Sequence, residues 1–334
     1  MVRKHDLPVV VTEEMSDPHP WALVDVVTRA DVPRLLFACH VDTVPAGSLR
    51  DWQFDPFGAD VENGALLGRG STDMKAGLVA ATVAVISAIA SGHAVSLLLT
   101  SDEEIGSRGA VCAGGAVDAL EVGAVIIPEA TQNIIHRGHR GALWLEVSTA
   151  GAAAHGSTPQ LGVNAVMKAV ALLDRASQDL PLGRDPFLQG ESWNVGVLQG
   201  GAVANIVPDA ARMLIDQRII DDGHDLIQWW TAQPEVDGLE TMLQLDPVRT
   251  PASDGWVQSL PWPASPEPVA YFTDGSALRP VVGSAPIVIW GPGRPSSMHA
   301  ANETVDLADL DEAITRFDAV ARAWPRVDGS VGEG

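Results

Sequence analysis

His40, Asp42, Asp73, Glu103, Glu104, Glu129 and His299 are the side chains of this 334-residue sequence whose types and spacing could do chemistry together. His40 and Asp42 are two apart, so on an extended chain they point the same way. Asp42 can then hydrogen-bond the far nitrogen of His40, or a neighbouring ligand, and fix its orientation. Glu103 and Glu104 are adjacent and diverge, so one can bind metal while the other faces a reacting centre. Gathered in one cleft, Asp42, Asp73, Glu103, Glu104 and Glu129 repel one another severely unless cations sit among them. Nitrogen and oxygen donors without thiolate suit zinc, with cobalt or manganese as alternatives. Two such ions, about 4 Å apart, need a shared carboxylate and can hold a bridging hydroxide as nucleophile.

The elements that would position these groups are legible around them. RLLFACHVD holds a buried-strand run, about Arg34 to Cys39, that ends in His40 and Asp42. VSLLLTSDEE, about Val95 to Thr100, ends in Glu103 and Glu104, and GAVIIPEAT, about Ala124 to Ile127, ends in Glu129. APIVIWGPG, about Pro286 to Trp290, leads through a Gly-Pro loop to His299. Asp73 lies in GRGSTDMKAG, where a glycine loop runs into a small-residue and apolar helix that stops at Gly92. Apolar runs alternating with helical stretches predict an α/β domain, a mainly parallel sheet with helices on both faces. Ligands of such sheets collect at the carboxyl ends of the strands, where four of these runs release an acid or a histidine.

Between about Gly141 and Asp246 the pattern changes. LWLEVST alternates as a half-buried strand, GVNAVMKAVALLDRA is amphipathic, and WNVGVLQG and ARMLIDQRI follow as strands. DLIQWWTA then predicts a helix and ETMLQLD a last strand. This β-α-β-β-α-β order is that of a ferredoxin-like α+β unit. It predicts a lid and dimerisation domain at 141–246, inserted into a di-metal domain formed by 1–140 and 247–334. Thr250 to Pro268 is a connection rich in Pro, Ser and Trp, and a polar tail follows Pro325. His136 and His139 form an H-x-x-H at the entry to the insertion, which fits a polar hinge better than a ligand pair.

A net charge of −22 excludes a nucleic-acid partner and an anionic membrane surface, both of which need a basic footprint. No uninterrupted apolar run reaches the length of a membrane span, and Leu78 to Ala90 is expected to be a buried helix. The basic start MVRKHDLPVVV is a poor secretory signal. Two cysteines form no disulfide framework, and Cys39 belongs to the core. A cytoplasmic location is the expectation.

HVDTVPAG, W-x-F-D-P-F with Trp52 and Phe57, GRGSTDMKAG, SDEE, PEAT, AAAHGSTP and GPGRPSSMHAANE occur in the order seen in the M20 metallopeptidase family, which the chain resembles from about Leu35 to Leu310. That family includes acetylornithine deacetylase, succinyl-diaminopimelate desuccinylase, aminoacylases and carboxypeptidases. The resemblance implies that His40 and Glu129 hold one metal, Glu104 and His299 the other, and that Asp73 bridges them. It implies Asp42 as the orienting acid, Glu103 as the general base and His155 as donor to the oxyanion. Asn205 and Arg218 correspond to substrate-contacting lid positions, and Thr273, Asp274 and Gly275 to the substrate pocket. The implied reaction is acetylornithine deacetylase-like deacylation of an N-acyl amino acid with a free α-carboxylate, with dipeptide or carboxypeptidase cleavage as the alternative. A small-molecule substrate and a homodimer go with it. Only 33 residues precede Arg34, so the helical segment usual there in the family is either missing or truncated.

Overall fold

The computed structural model describes residues 7–27 and 32–327. The basic start, 1–6, and the end of the polar tail, 328–334, lie outside them. The chain divides into two compact units, Met1–His139 with Val248–Gly334, and Arg140–Pro247.

The first unit is built on a six-stranded sheet in the spatial order Val9–Glu14, Trp21–Val26, Val95–Thr100, Arg34–His40, Val122–Ile127, Ile287–Ile289. The last four pair in parallel, and Trp21–Val26 joins Val95–Thr100 antiparallel. Where helical cover is usual in the family, the described residues form an antiparallel hairpin that extends the sheet. Side-chain alternation divides the core in two. Leu35, Phe37, Val95, Leu97 and Ile126 face helices Ala76–Ala90 and Leu307–Ala323 on one side. Leu36, Ala38, Leu98, Val125 and Ile127 face helix Arg108–Asp118 and the turn at Leu278 on the other. All seven residues of Arg34–His40 are buried, and a strand covered on both faces calls for the near-continuous apolar run that Leu35–Cys39 supplies.

Ser71–Ala90 has the length and mean hydropathy, 1.6, of a membrane span. Polar residues, Thr82 and Ser87 among them, interrupt the segment. Ala80, Ala81, Ala84, Val85, Ala88 and Ile89 nevertheless lie within the core, as expected for a buried helix. The Thr250–Pro268 connection is ordered by packing. Asp254 caps a short helix at Gly255–Ser259, and Trp262 packs against Trp290 with ring centroids 5.5 Å apart and planes tilted by 50°.

The second unit is a four-stranded antiparallel sheet in the order Ser192–Gly200, Ala210–Ile219, Gly141–Ala150, Gly238–Leu245. Helices Ala165–Asp179 and His224–Thr231 provide Ala169, Leu172, Leu226 and Trp230 to its apolar core.

The fit of Ala76–Ala90 against the loop before Glu129 is close enough to test. A Cβ on Gly77 would lie 1.8 Å from the Pro128 carbonyl oxygen, whereas one on Gly115, in helix Arg108–Asp118, meets nothing within 4 Å. Gly77→Ala should therefore lower unfolding stability by about 1–3 kcal/mol through overpacking. Gly115→Ala should raise it by about 0.4–1 kcal/mol through the unfolded chain. Urea melts of both variants check the pair, and a neutral Gly77→Ala would contradict the packing described.

Candidate dinuclear metal centre

His40 closes its strand with its backbone N–H donating to Met74 Sδ at 3.2 Å. Its Nε2 lies 3.1 Å from Asp73 Oδ1 and 3.3 Å from Glu129 Oε1. On the other side, His299 Nε2 lies 3.1 Å from Asp73 Oδ2 and 2.9 Å from Glu104 Oε2. Among the described residues two three-donor groups therefore form, His40–Asp73–Glu129 and Asp73–Glu104–His299. They share Asp73, which turns one oxygen to each.

Local backbone explains how each donor arrives. Asp73 has extended dihedrals, φ −113° and ψ 98°, just before the helix that begins at Ala76. Asp102 and His299 adopt left-handed φ values of 57° and 59°, a conformation uncommon outside glycine and concentrated at functional sites. Asp42 reaches both the acid pair and the histidine. Its carboxylate accepts the backbone N–H of Glu103 at 3.2 Å and of Glu104 at 3.3 Å. His40 Nδ1 lies closer to the Asp42 carbonyl, 3.1 Å, than to its carboxylate, 3.5 Å. Glu104 Oε1 also accepts from Val44 N–H. Glu103 is buried and belongs to neither group.

The donors fit a pair of divalent cations. All are imidazole nitrogens or carboxylate oxygens, and Glu129 Oε2 is buried without a hydrogen-bond partner. Burial pushes Glu129 up to about 7 and Glu103 well above the carboxylate range; His40 opposes the shift at Glu103, and Asp274, Glu129 and Glu104 add to it. An acid-rich site of low polarity holds such charges most cheaply when cations are among them.

The other expected site residues are distributed as follows. Thr273, Asp274 and Gly275, expected to line a substrate pocket, are buried. Thr273 Oγ1 meets His139 Nε2 at 3.0 Å, and Asp274 accepts the Thr100 hydroxyl. Both side chains are thus engaged with neighbouring groups of the first unit. In the second unit, Asn205 O accepts Gly156 N–H at 2.8 Å, which joins the Asn205 loop to that of His155. His155 Nδ1 is 2.7 Å from Ser157 Oγ, and Arg218 pairs with Asp216 at 3.1 Å. His136 and His139 enter neither donor group; His136 Nδ1 lies 2.8 Å from the Glu267 carbonyl. Sequence reasoning passed over Glu303, which is completely buried and accepts from the Asp73 backbone. Its only sequence signal was its place in GPGRPSSMHAANE, four residues after His299.

In protein stripped by a chelator, proton binding sets the pH response. Hydrogen bonds that His299 donates to the Asp73 and Glu104 carboxylates push it up to about 10, as burial does Glu129 to about 7. Both folded values lie above the unfolded ones, so their stabilisation is complete below the unfolded pKa and lost as pH rises through the folded one. Asp73 has the opposite sign. Burial opposes its charge, but His299 and His40 outweigh that and hold its carboxyl low, so its contribution is lost only as pH falls below the ordinary range. The stripped protein should melt highest near pH 4–5 (about the unfolded carboxylate pKa) and progressively lower through pH 7 to pH 10. A melting temperature that rises over that interval would contradict this geometry.

Peptidase family M20/M25/M40 matches residues 36–323. The chain is 31% identical over 324 residues to succinyl-diaminopimelate desuccinylase of Rhodospirillum centenum, covering 87% of this chain and 81% of that protein. It is 30% identical to the Roseobacter denitrificans protein of the same name, over 80% and 77%. In fold it is similar to an M20 family metallo-carboxypeptidase from Sulfolobus solfataricus, with TM-score 0.78, 19% identity and 96% and 91% of the two chains covered. Bacillus subtilis YXEP, described as a dinuclear metal binding peptidase from the M20 family, superposes with TM-score 0.66 at 13% identity over 96% and 89%. With the shared-carboxylate geometry in place and most of its length matched, the chain belongs to peptidase family M20/M25/M40 and is a metal-dependent amide hydrolase.

Proposed function

We propose that the protein deacylates N-acyl amino acids, cleaving the amide of substrates that carry a free α-carboxylate. The observation that carries this reading is the Asp73 carboxylate, with one oxygen toward each histidine. In this reading His40 and Glu129 hold one cation, Glu104 and His299 the other, and Asp73 both, with zinc the simplest choice and cobalt or manganese compatible. Once bound, the ions supply Lewis acidity at the amide carbonyl and make a nucleophile of water near neutral pH. Glu103 then takes the proton from the attacking water and returns it to the departing amine nitrogen. Its exclusion from both donor groups leaves its carboxylate free for that work. Asp42 holds the backbone of the acid pair.

The same proposal makes residues 141–246 a ferredoxin-like lid and dimerisation domain. His155 donates to the developing oxyanion, and Asn205 and Arg218 take the substrate. The desuccinylase names of relatives matched over about four-fifths of their length favour an N-succinyl substrate over the N-acetylornithine first expected. Exposed Leu161, Met167 and Val170 support a homodimer through this unit. Two free thiols, Cys39 and Cys112, agree with a cytoplasmic location.

A panel of N-succinyl, N-acetyl and α-amide-blocked amino acids, with dipeptides beside them, tests the substrate class. Faster turnover of dipeptides would make the enzyme a dipeptidase, and indifference to amide blocking would remove the carboxylate requirement. Glu103→Gln should keep two metal equivalents by elemental analysis and lose about 10²–10⁴ in kcat. Glu104→Gln should lose one equivalent, and the reverse pattern would exchange their roles.

A mixing experiment tests the dimer. His155→Ala and Glu103→Gln chains, each nearly inactive alone, should recover one working site per heterodimer if the histidine serves the partner's centre. Verified heterodimers without activity would place His155 in its own chain's chemistry.

A further inference from the structure

We propose that Glu303 is the positioning residue for the shared ligand, fixing the direction in which Asp73 presents its two oxygens. Its carboxylate is completely buried and saturated by four donors. Oε1 accepts Thr72 N–H at 2.8 Å and Asp73 N–H at 3.0 Å. Oε2 accepts Gly70 N–H at 2.9 Å and the Arg69 guanidinium at 2.6 Å. The whole Arg69–Asp73 loop is thereby wrapped around one anion. With its own N–H tied to Glu303, Asp73 directs its side chain to His40 and His299.

The same anchor reaches the second donor group. Glu303 lies four residues after His299, and Arg69 donates to the Ala300 carbonyl between them at 3.2 Å. The small strand Thr304–Asp306 pairs with Ala65–Leu67, and Gly68 N–H donates to the Glu303 carbonyl at 3.0 Å. Thr72 Oγ1 closes the arrangement on Thr304 O at 2.6 Å. Two ligand-bearing segments, more than two hundred residues apart in sequence, are registered at this one carboxylate. Its pairing with Arg69 matters because another uncompensated anion would add to the repulsion among the ligands. An amide cannot replace it. Either orientation of a glutamine sets an N–H₂ against donors that need acceptors.

This inference rests on the two-cation reading of the centre, and cobalt(II) titration separates the failure of one from that of the other. The metal-free wild-type protein should take up two equivalents with a characteristic d–d absorption; failure to do so would end the two-cation reading itself. Glu303→Gln should bind cobalt about 10- to 100-fold more weakly, the usual consequence of losing a partner that orients a ligand. The absorption of both ions should change, because Asp73 belongs to both groups. Glu235→Gln, which breaks the Arg175 pair in the second unit, serves as the control. It should affect melting alone and leave the cobalt spectrum as in wild type. If Glu303→Gln lowers only the melting temperature while affinity and spectrum stay wild type, Glu303 is structural and the proposal falls. Should that variant not fold, Arg69→Lys removes the two-pronged contact while keeping the charge. It should shift cobalt affinity and spectrum in the same direction, and an unchanged titration would equally overturn the proposal.

Discussion

The carboxylate of Asp73 is the group on which the rest of the centre depends. It stands between two imidazoles in a buried position, and each histidine meets a different oxygen. A carboxylate so placed cannot be turned without disturbing both neighbours. The surrounding fold restrains it at three levels. Its backbone is held by a buried anion, its following residue Met74 supports His40, and the helix that begins three residues later packs against the loop of Glu129.

Burial gives these restraints their energetic weight. In water, repelling carboxylates would separate at little cost, but here Glu103, Glu129 and Asp274 are nearly sealed from solvent. Burial therefore disfavours charge on each of them, and their proximity compounds it. A chain with 43 acidic and 21 basic side chains has few cations to distribute internally. One of them, Arg69, is committed to Glu303, leaving the first-unit donor groups to be balanced by ions or protons.

The strands and the helix at Asp73 were legible because their residues obey simple periodicities. Arg34–His40 and Val95–Thr100 are built on the apolar runs Leu35–Cys39 and Leu97–Leu99 with both faces covered, and the acids and histidines follow where such runs stop. Gly141–Ala150 and Ala210–Ile219 alternate because their sheet has one covered face. The N-terminal hairpin was missed for a physical reason. Val9–Glu14 is a short edge strand with little burial whose three valines run straight into Thr12, Glu13 and Glu14, so its residue types show no alternation that marks one face of a sheet. The partners of Thr273 and Asp274, His139 and Thr100, were also beyond the sequence, since they are brought together only by tertiary packing. Glu303 shows the limit most clearly. A single acid gives no periodicity, and its partners, Arg69 to Asp73, are brought to it only by tertiary pairing of two very short strands.

The order of the ligands along the chain has a consequence for how the centre is born. His40, Asp73 and Glu129 all precede residue 140, as do five of the six strands of the main sheet. His299 and the edge strand Ile287–Ile289 follow only after the second unit has been synthesised. A nascent chain therefore carries one complete donor set well before the other can exist. During that interval it holds only the His40–Asp73–Glu129 donor group, with an exposed sheet edge and a core lacking helix Leu307–Ala323. Translation itself thus imposes a sequence on assembly, and the second half of the centre closes only when the C-terminal segment docks.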